Sequence, residues 1–320
     1  MRLEDLRVKR AAIIYNPVAR RLSRTRHLLQ RTIETLAGEG IDAKLVATTA
    51  PGSASAQARR QIDAGCGLIL AAGGDGTINE VANGMLHSSV PLGILPGGTA
   101  NVLARELGLS TDMTKVAARL RGFQAARISV GSLRLGSFER RCFLCMSGAG
   151  LDAEVVYHLN LDLKAALGKL AYYLGGFSQV FRPLHEFGLT IDGLRYQASF
   201  ALISRVRNYG GDLEIARGAS LLRNDFEVVL FRGTQSLRYI PYLMAVALGQ
   251  ANRMPGVTVV RGRSVTCEPV EGQDIYSQMD GELVGKLPVT AEIIPDALTL
   301  LVPPEYLARE QSLLQVAVCA

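Results

Sequence analysis

The sequence contains no tryptophan, 6% aromatic residues, five cysteines and four histidines in 320 positions. Five cysteines are too few for a disulfide framework in a chain this long, which points to a reducing compartment. Cys142 and Cys145 form a CxxC pair, but they sit in the apolar run RCFLCMSGAG with no second pair at zinc-ligand spacing, so a buried strand is expected there. His27, His87, His158 and His185 show no HExxH or other ligand spacing and receive no chemical role. The scarcity of aromatics and the lack of a recognition motif argue against nucleic acid as a partner. The longest apolar runs, residues 66–72 and 239–249, are well short of the ~20 residues a membrane span needs. Arg2, Arg7, Lys9 and Arg10 precede only a short apolar stretch at 11–15, which is no signal peptide, so a cytoplasmic protein is expected. Neither GxxxxGKS/T nor GxGxxG occurs, which argues against Walker and Rossmann dinucleotide-type loops.

What is present is ordinary for a globular chain of about two domains, with 48% hydrophobic and 20% charged residues. Charge is concentrated at one end. Residues 1–31 carry nine basic side chains against Glu4 and Asp5, a local +7 where the whole chain is +6. Such a stretch is either a solvated face or a surface drawn to phosphates or acidic lipid headgroups. Up to about residue 125, short apolar runs (11–15, 41–47, 67–72, 90–95) alternate with helical spacing (22–36, 53–64, 78–86, 100–107). That alternation predicts a parallel sheet with flanking helices, whose ligands bind beyond the carboxyl ends of the strands. Later segments are short and strand-like, among them 127–135, 141–146, 196–203, 226–231, 289–294 and 298–302, with helices expected near 152–182 and 235–249. They predict a mostly antiparallel β-sandwich or barrel. The expected division is 1–125 for an α/β nucleotide-binding domain, with 303–320 a candidate addition to it, and 126–302 for a β-rich substrate domain.

The stretch AAGGDGTINEVANG, residues 71–84, reads as strand, glycine turn and helix start. Glycines permit close backbone approach to a ligand, and the free N–H groups of a new helix favour an anion, so the turn suits a phosphate. Asp75 would then organise a magnesium ion or polarise an attacking hydroxyl. A plain tight turn capped by aspartate is the other reading. LPGGTAN, residues 95–101, repeats the same logic after the next strand.

GGDGTINEVANG and PGGTANVLAREL resemble the catalytic region of the diacylglycerol kinase and sphingosine kinase superfamily, in its bacterial lipid kinase branch. IIYNPVAR, TTAPGSA, LGKLAYYLGG, NYGGDLEIARGASLLRNDFEVVLF and MDGELVG resemble further motifs of that family along nearly the whole chain. The resemblance implies an α/β N-terminal domain like that of NAD kinase and phosphofructokinase, plus an antiparallel β-sandwich. It implies ATP, Mg2+ and transfer of the γ-phosphoryl group to a lipid hydroxyl. It places nucleotide contacts at Asn16, Pro17, Val18, Ala19, Arg20, Thr48, Gly74, Asp75, Gly76, Thr77, Ile78, Asn79, Glu80 and Thr99. Metal contacts are implied at Leu222, Asp225 and Glu227, the first and last through main-chain oxygens, and a general base at Glu282. From spacing alone MDGEL is simply an Asp-Gly hairpin turn. Val102 stands where many members carry aspartate. The implied partners are a lipid with a free hydroxyl and an anionic membrane surface touched peripherally, and a homodimer is a candidate assembly.

Two other readings fit parts of the pattern. NAD kinases share the GGDGT-type turn but act on a soluble substrate, and a silent binding protein would keep the fold without catalysis. The later motifs and the basic stretch favour a lipid. Asp75, Asp225 and Glu282 are all retained, which favours catalysis.

Overall fold

The computed structural model describes residues 2–6, 8–18, 26–136, 140–150, 184–209, 213–235, 241–242, 245, 250 and 254–319. The helix expected near 152–182, with its LGKLAYYLGG motif, lies outside them, as does most of the one expected near 235–249. The chain forms two compact units, residues 1–129 with 295–320 and residues 130–294.

In the first unit β1 (Arg10–Tyr15), β2 (Asp42–Ala47), β3 (Leu68–Gly73) and β4 (Leu92–Pro96) run parallel in the order β2-β1-β3-β4. Every residue of LILAAG in β3 is buried, as a parallel strand covered on both faces requires. Helices α1 (Arg26–Gly38), α2 (Ser53–Asp63), α3 (Asp75–Met85), α4 (Val102–Glu106) and α5 (Met113–Ala117) intervene. Gly40, with φ +73, follows the end of α1. In α3, Ile78, Val81, Ala82 and Met85 form the buried stripe read from the sequence. The helix begins at Asp75, two or three residues before the start that spacing indicated. Ile13, Leu29, Leu36, Leu70 and Val116 belong to the core of this unit. The last helix, α6 (Pro304–Cys319), is part of it as well.

The second unit is an antiparallel sandwich. One of its sheets has six strands: β7 (Met146–Gly150), β10 (Phe200–Ser204), β13 (Phe226–Phe231), β14 (Val257–Gly262), β16 (Tyr276–Met279) and β17 (Glu282–Lys286). Their order is β14-β13-β10-β7-β16-β17, and the short strands β11 (Asn208–Tyr209) and β12 (Leu213–Glu214) pair antiparallel with each other. In the other, β15 (Ser264–Glu268) pairs with β8 (Phe187–Ile191) and with β18 (Val289–Val302), and β8 pairs with β9 (Leu194–Ala198). β5 (Gln124–Leu135) pairs with β6 (Arg141–Phe143) and β18. Phe143 and Phe226 stack at 5.7 Å in the core.

Strand boundaries of the sequence reading differ from the fold at three places. Residues 196–203 divide between β9 and β10, which belong to different sheets; at the break Ser199 donates its N–H to Phe231 O at 2.9 Å. Residues 141–146 divide into β6 and β7 because the intervening N–H groups turn to a side chain, Asp280. Conversely, 289–294 and 298–302 are one strand, β18, in which Asp296 has φ +47. Cys66, Cys142, Cys145 and Cys267 are buried as thiols. No helix among the described residues is long and apolar enough to cross a membrane.

Candidate active site

In the first unit, parallel register brings four strand ends to one edge. Tyr15 pairs with Ala47 and Ala72, and Gly73 pairs with Pro96, so Asn16, Thr48, Gly74 and Gly97 each follow a strand at that edge. Asn16 Oδ1 accepts the N–H of Val18 at 3.0 Å, which closes the Asn-Pro turn, and Val18 is 81% exposed. Thr48 donates its N–H to Tyr15 O at 2.9 Å. Ala19 and Arg20 lie outside the described residues.

The two glycine turns interlock. Gly97 donates its N–H to Gly73 O at 2.8 Å, and a Cβ on Gly98 would stand 2.4 Å from the Gly74 Cα. Asn101, buried and left-handed at φ +50, accepts from the Gly98 N–H at 2.8 Å and donates to the Gly98 carbonyl at 2.9 Å. Thr99 is left exposed between them. Gly73 is held by a different contact, since its Cβ would meet the Thr77 Cβ at 2.8 Å. The last glycine of GGDGTINEVANG has a packing role: a Cβ on Gly84 would lie 2.3 Å from Ser55 O, so α2 and α3 meet backbone to backbone.

Gly74 is the N-cap of α3 and supplies no side-chain cap. The first-turn N–H groups of Asp75, Gly76 and Thr77 therefore suit an anion from outside the helix. Asp75 is half-buried, and its Oδ1 accepts the N–H of Leu103 at 3.2 Å at the start of α4. Burial raises its carboxyl above the usual aspartate value, against the pull of the backbone N–H groups of Val102, Leu103, Asp75 and Asn101. Further along α3, Ile78 is buried and Asn79 accepts from Asn83 at 2.8 Å. Glu80 joins α3 to α2: its carboxylate accepts from Ala54 N at 3.4 Å and its carbonyl from Ser55 Oγ at 2.5 Å.

In the second unit Asp280 and Gly281 have φ +48 and +81, and Met279 pairs with Glu282. This is a two-residue hairpin turn, and it puts Glu282 at the first position of β17. Glu282 is 60% exposed, with Arg141 at 3.6 Å, an ion pair that contributes little to stability in water. The aspartate read as a turn residue has a second role that no local pattern indicates. Asp280 accepts the N–H groups of Leu144, Cys145 and Met146 at 3.1, 3.1 and 2.9 Å, which fixes the hairpin against the start of β7.

The residues implied as metal contacts lie among arginines. Arg223 grips Asp225 with two bonds, Nε to Oδ1 at 2.9 Å and Nη2 to Oδ2 at 2.7 Å, and Arg261 reaches Oδ1 at 3.4 Å. Burial works to raise the Asp225 carboxyl, but Arg223, Arg261 and Arg205 together hold it below the usual range. Glu227 accepts the Gly218 N–H at 2.9 Å and faces Arg261 at 3.4 Å. Leu222 donates its N–H to Ser220 Oγ at 3.2 Å.

The first unit is thus a parallel α/β unit with phosphate-suited turns at its strand ends, and an antiparallel sandwich follows it in the chain. The model of the diacylglycerol kinase catalytic domain matches residues 10–133, and that of the YegS C-terminal NAD kinase beta sandwich-like domain matches 146–302. Curated relatives named diacylglycerol kinase include one from Bacillus subtilis (strain 168), 31% identical over 288 residues, covering 88% of this chain and 92% of the relative. Another, from Staphylococcus carnosus (strain TM300), is 27% identical over 286 residues, covering 88% and 90%. A crystal structure of a diacylglycerol kinase from Bacillus anthracis str. Sterne shares the fold with a TM-score of 0.75 at 23% identity, covering 93% of this chain and 99% of that one. The chain belongs to the diacylglycerol kinase family. It is a phosphotransferase with an alcohol group as acceptor.

Proposed function

We propose that this kinase uses ATP and Mg2+ to phosphorylate the hydroxyl of a membrane lipid. Diacylglycerol, for which the relatives are named, is the first acceptor to test, followed by sphingoid and related lipids. The observation that carries the reading is the pair of interlocked glycine turns beside the N-terminus of α3, with Asp75 at its first position.

The residues fit the donor nucleotide. Glycine backbone and helix N–H groups accommodate phosphate oxygens, and one carboxylate suits an ion that takes most of its ligands from phosphates and water. ATP supplies the transferable phosphoryl group and Mg2+ neutralises its developing charge. Asn16 to Arg20, Thr48, Gly74 to Glu80 and Thr99 are the nucleotide-binding set, and Asp75 orients the metal-bound phosphates. Glu282, solvent-accessible on a hairpin fixed by Asp280, takes the proton of the acceptor hydroxyl. The basic N-terminal stretch holds the enzyme on anionic lipid, peripherally and reversibly.

The direct test incubates the purified chain with radiolabelled ATP and Mg2+, presenting a total lipid extract in one arm and soluble alcohols such as NAD in the other. A labelled lipid is expected, with its formation reduced ~10² to 10⁴-fold in Glu282→Gln while ATP affinity stays near that of the parent. Label only in a soluble product, or no transfer at all, would refute the lipid assignment. Collapse of ATP binding in Glu282→Gln would remove that residue from the role of base.

A further inference from the structure

Arg205 is the first residue after β10 in the apolar run FALISRVRN, and it is fully buried. Its backbone N–H is tied to Cys145 O at 2.8 Å. Its guanidinium donates to three main-chain carbonyls of one loop, Nη2 to Leu221 at 2.8 Å and Nη1 to Arg223 and Asp225 at 2.6 and 2.8 Å. Carbonyls converging on one buried positive group are the arrangement a loop commonly makes around a metal ion. The loop's acids are engaged in the same manner. Arg223 and Arg261 take the Asp225 carboxylate, and Gly218 and Arg261 take that of Glu227.

This donor set does not fit a divalent ion. Both Asp225 oxygens already accept from guanidinium groups, and a further double charge would face three arginines with only two carboxylates to offset them. We infer that Arg205, Arg223 and Arg261 take the place that the family resemblance gives to a metal at Leu222, Asp225 and Glu227, so the second unit folds without a divalent cation. Planar guanidinium suits the task, because it keeps its charge when buried and directs several donors at fixed angles. The metal requirement of the enzyme is then confined to the nucleotide.

The test uses the full chain without nucleotide and has no activity readout, so it stands apart from the assignment of substrate. Thermal unfolding is compared in EDTA and in millimolar Mg2+, and Mn2+ binding is titrated by electron paramagnetic resonance, for the parent and Asp225→Asn. Equal midpoints in the two buffers are expected, with no Mn2+ site that Asp225→Asn removes. Asp225→Asn itself should lower the midpoint equally in both. Stabilisation of the parent by Mg2+ that disappears in Asp225→Asn, or a stoichiometric Mn2+ site lost in that variant, would overturn the inference. Should Asp225→Asn fail to fold, the parent decides alone: equal midpoints in EDTA and Mg2+ and no stoichiometric Mn2+ site are expected, and a midpoint raised by Mg2+ together with such a site would overturn the inference.

Discussion

Gly98 lies against Gly74 so closely that a Cβ on the former would stand 2.4 Å from the Cα of the latter. Backbone meets backbone there, and no side chain can swing aside. Gly98→Ala is expected to spread the two turns, with an overpacking cost of about 1–3 kcal/mol. Calorimetry should show weakened ATP binding together with a lower unfolding midpoint. Unchanged affinity would place the nucleotide elsewhere.

Asp75→Asn removes a charge but keeps an oxygen that can accept from Leu103. A loss in kcat on the order of 10² to 10³ is expected if the charge organises the phosphates. Stability should move the other way. Since burial raises the carboxyl, the folded protein binds that proton more tightly than the unfolded chain. The stability this contributes is present below the ordinary aspartate range and is lost as pH rises through the raised value. Without nucleotide and metal, Asp75→Asn is therefore expected to match or exceed the parent midpoint at neutral pH, and the advantage should shrink toward acid. A variant less stable at neutral pH would show that the carboxylate mainly caps α4.

Asp280→Ala withdraws one acceptor from three backbone N–H groups and puts alanine at φ +48. A destabilisation of about 2–4 kcal/mol is expected in urea unfolding. Because the hairpin positions Glu282, kcat should fall while nucleotide affinity holds. Asp280→Asn tolerates the left-handed backbone and should recover part of both losses. Full kcat in Asp280→Ala would separate the hairpin anchor from the chemistry.

Arg309 bridges Glu106 at 3.1 Å and Glu310 at 3.3 Å, and both acids are buried. Its own side chain is 43% exposed, so the pair is screened on one side. Removing it nevertheless takes a cation from two buried carboxylates, and Arg309→Ala is expected to cost roughly 2–4 kcal/mol. Arg309→Lys, with charge but no planar fork, should fall between. Equal midpoints for all three proteins would show that α6 is held by apolar contacts alone.

Sedimentation with vesicles is expected to increase with phosphatidylglycerol content and to decline as salt approaches about 0.5 M. Reversing the charges of Arg20, Arg21, Arg24 and Arg26 should weaken both binding and activity on vesicles, and affect a short-chain soluble analogue less. Arg20, Arg21 and Arg24 are outside the described residues, so this expectation rests on the charge of the sequence. Binding indifferent to lipid charge and salt would leave the stretch as a solvated face.

The sequence by itself determined the alternating first unit, because apolar period and glycine punctuation are local signals that packing reinforces: the buried stripe of α3 and the fully buried β3 are both legible in it. It also displayed the turn residues, since positive φ and close approach restrict residue type wherever they occur. Contacts between segments distant in the chain were decided only by the tertiary structure. No local pattern says that Gly84 serves helix packing, that Ser199 is where a strand changes sheets, or that Asp280 splits an apolar run 134 residues away at Met146. One further signal is visible in the sequence without its outcome. An arginine in FALISRVRN is a charge in an apolar run, which must find partners when buried, and only the fold shows that those partners are the carbonyls of Leu221, Arg223 and Asp225.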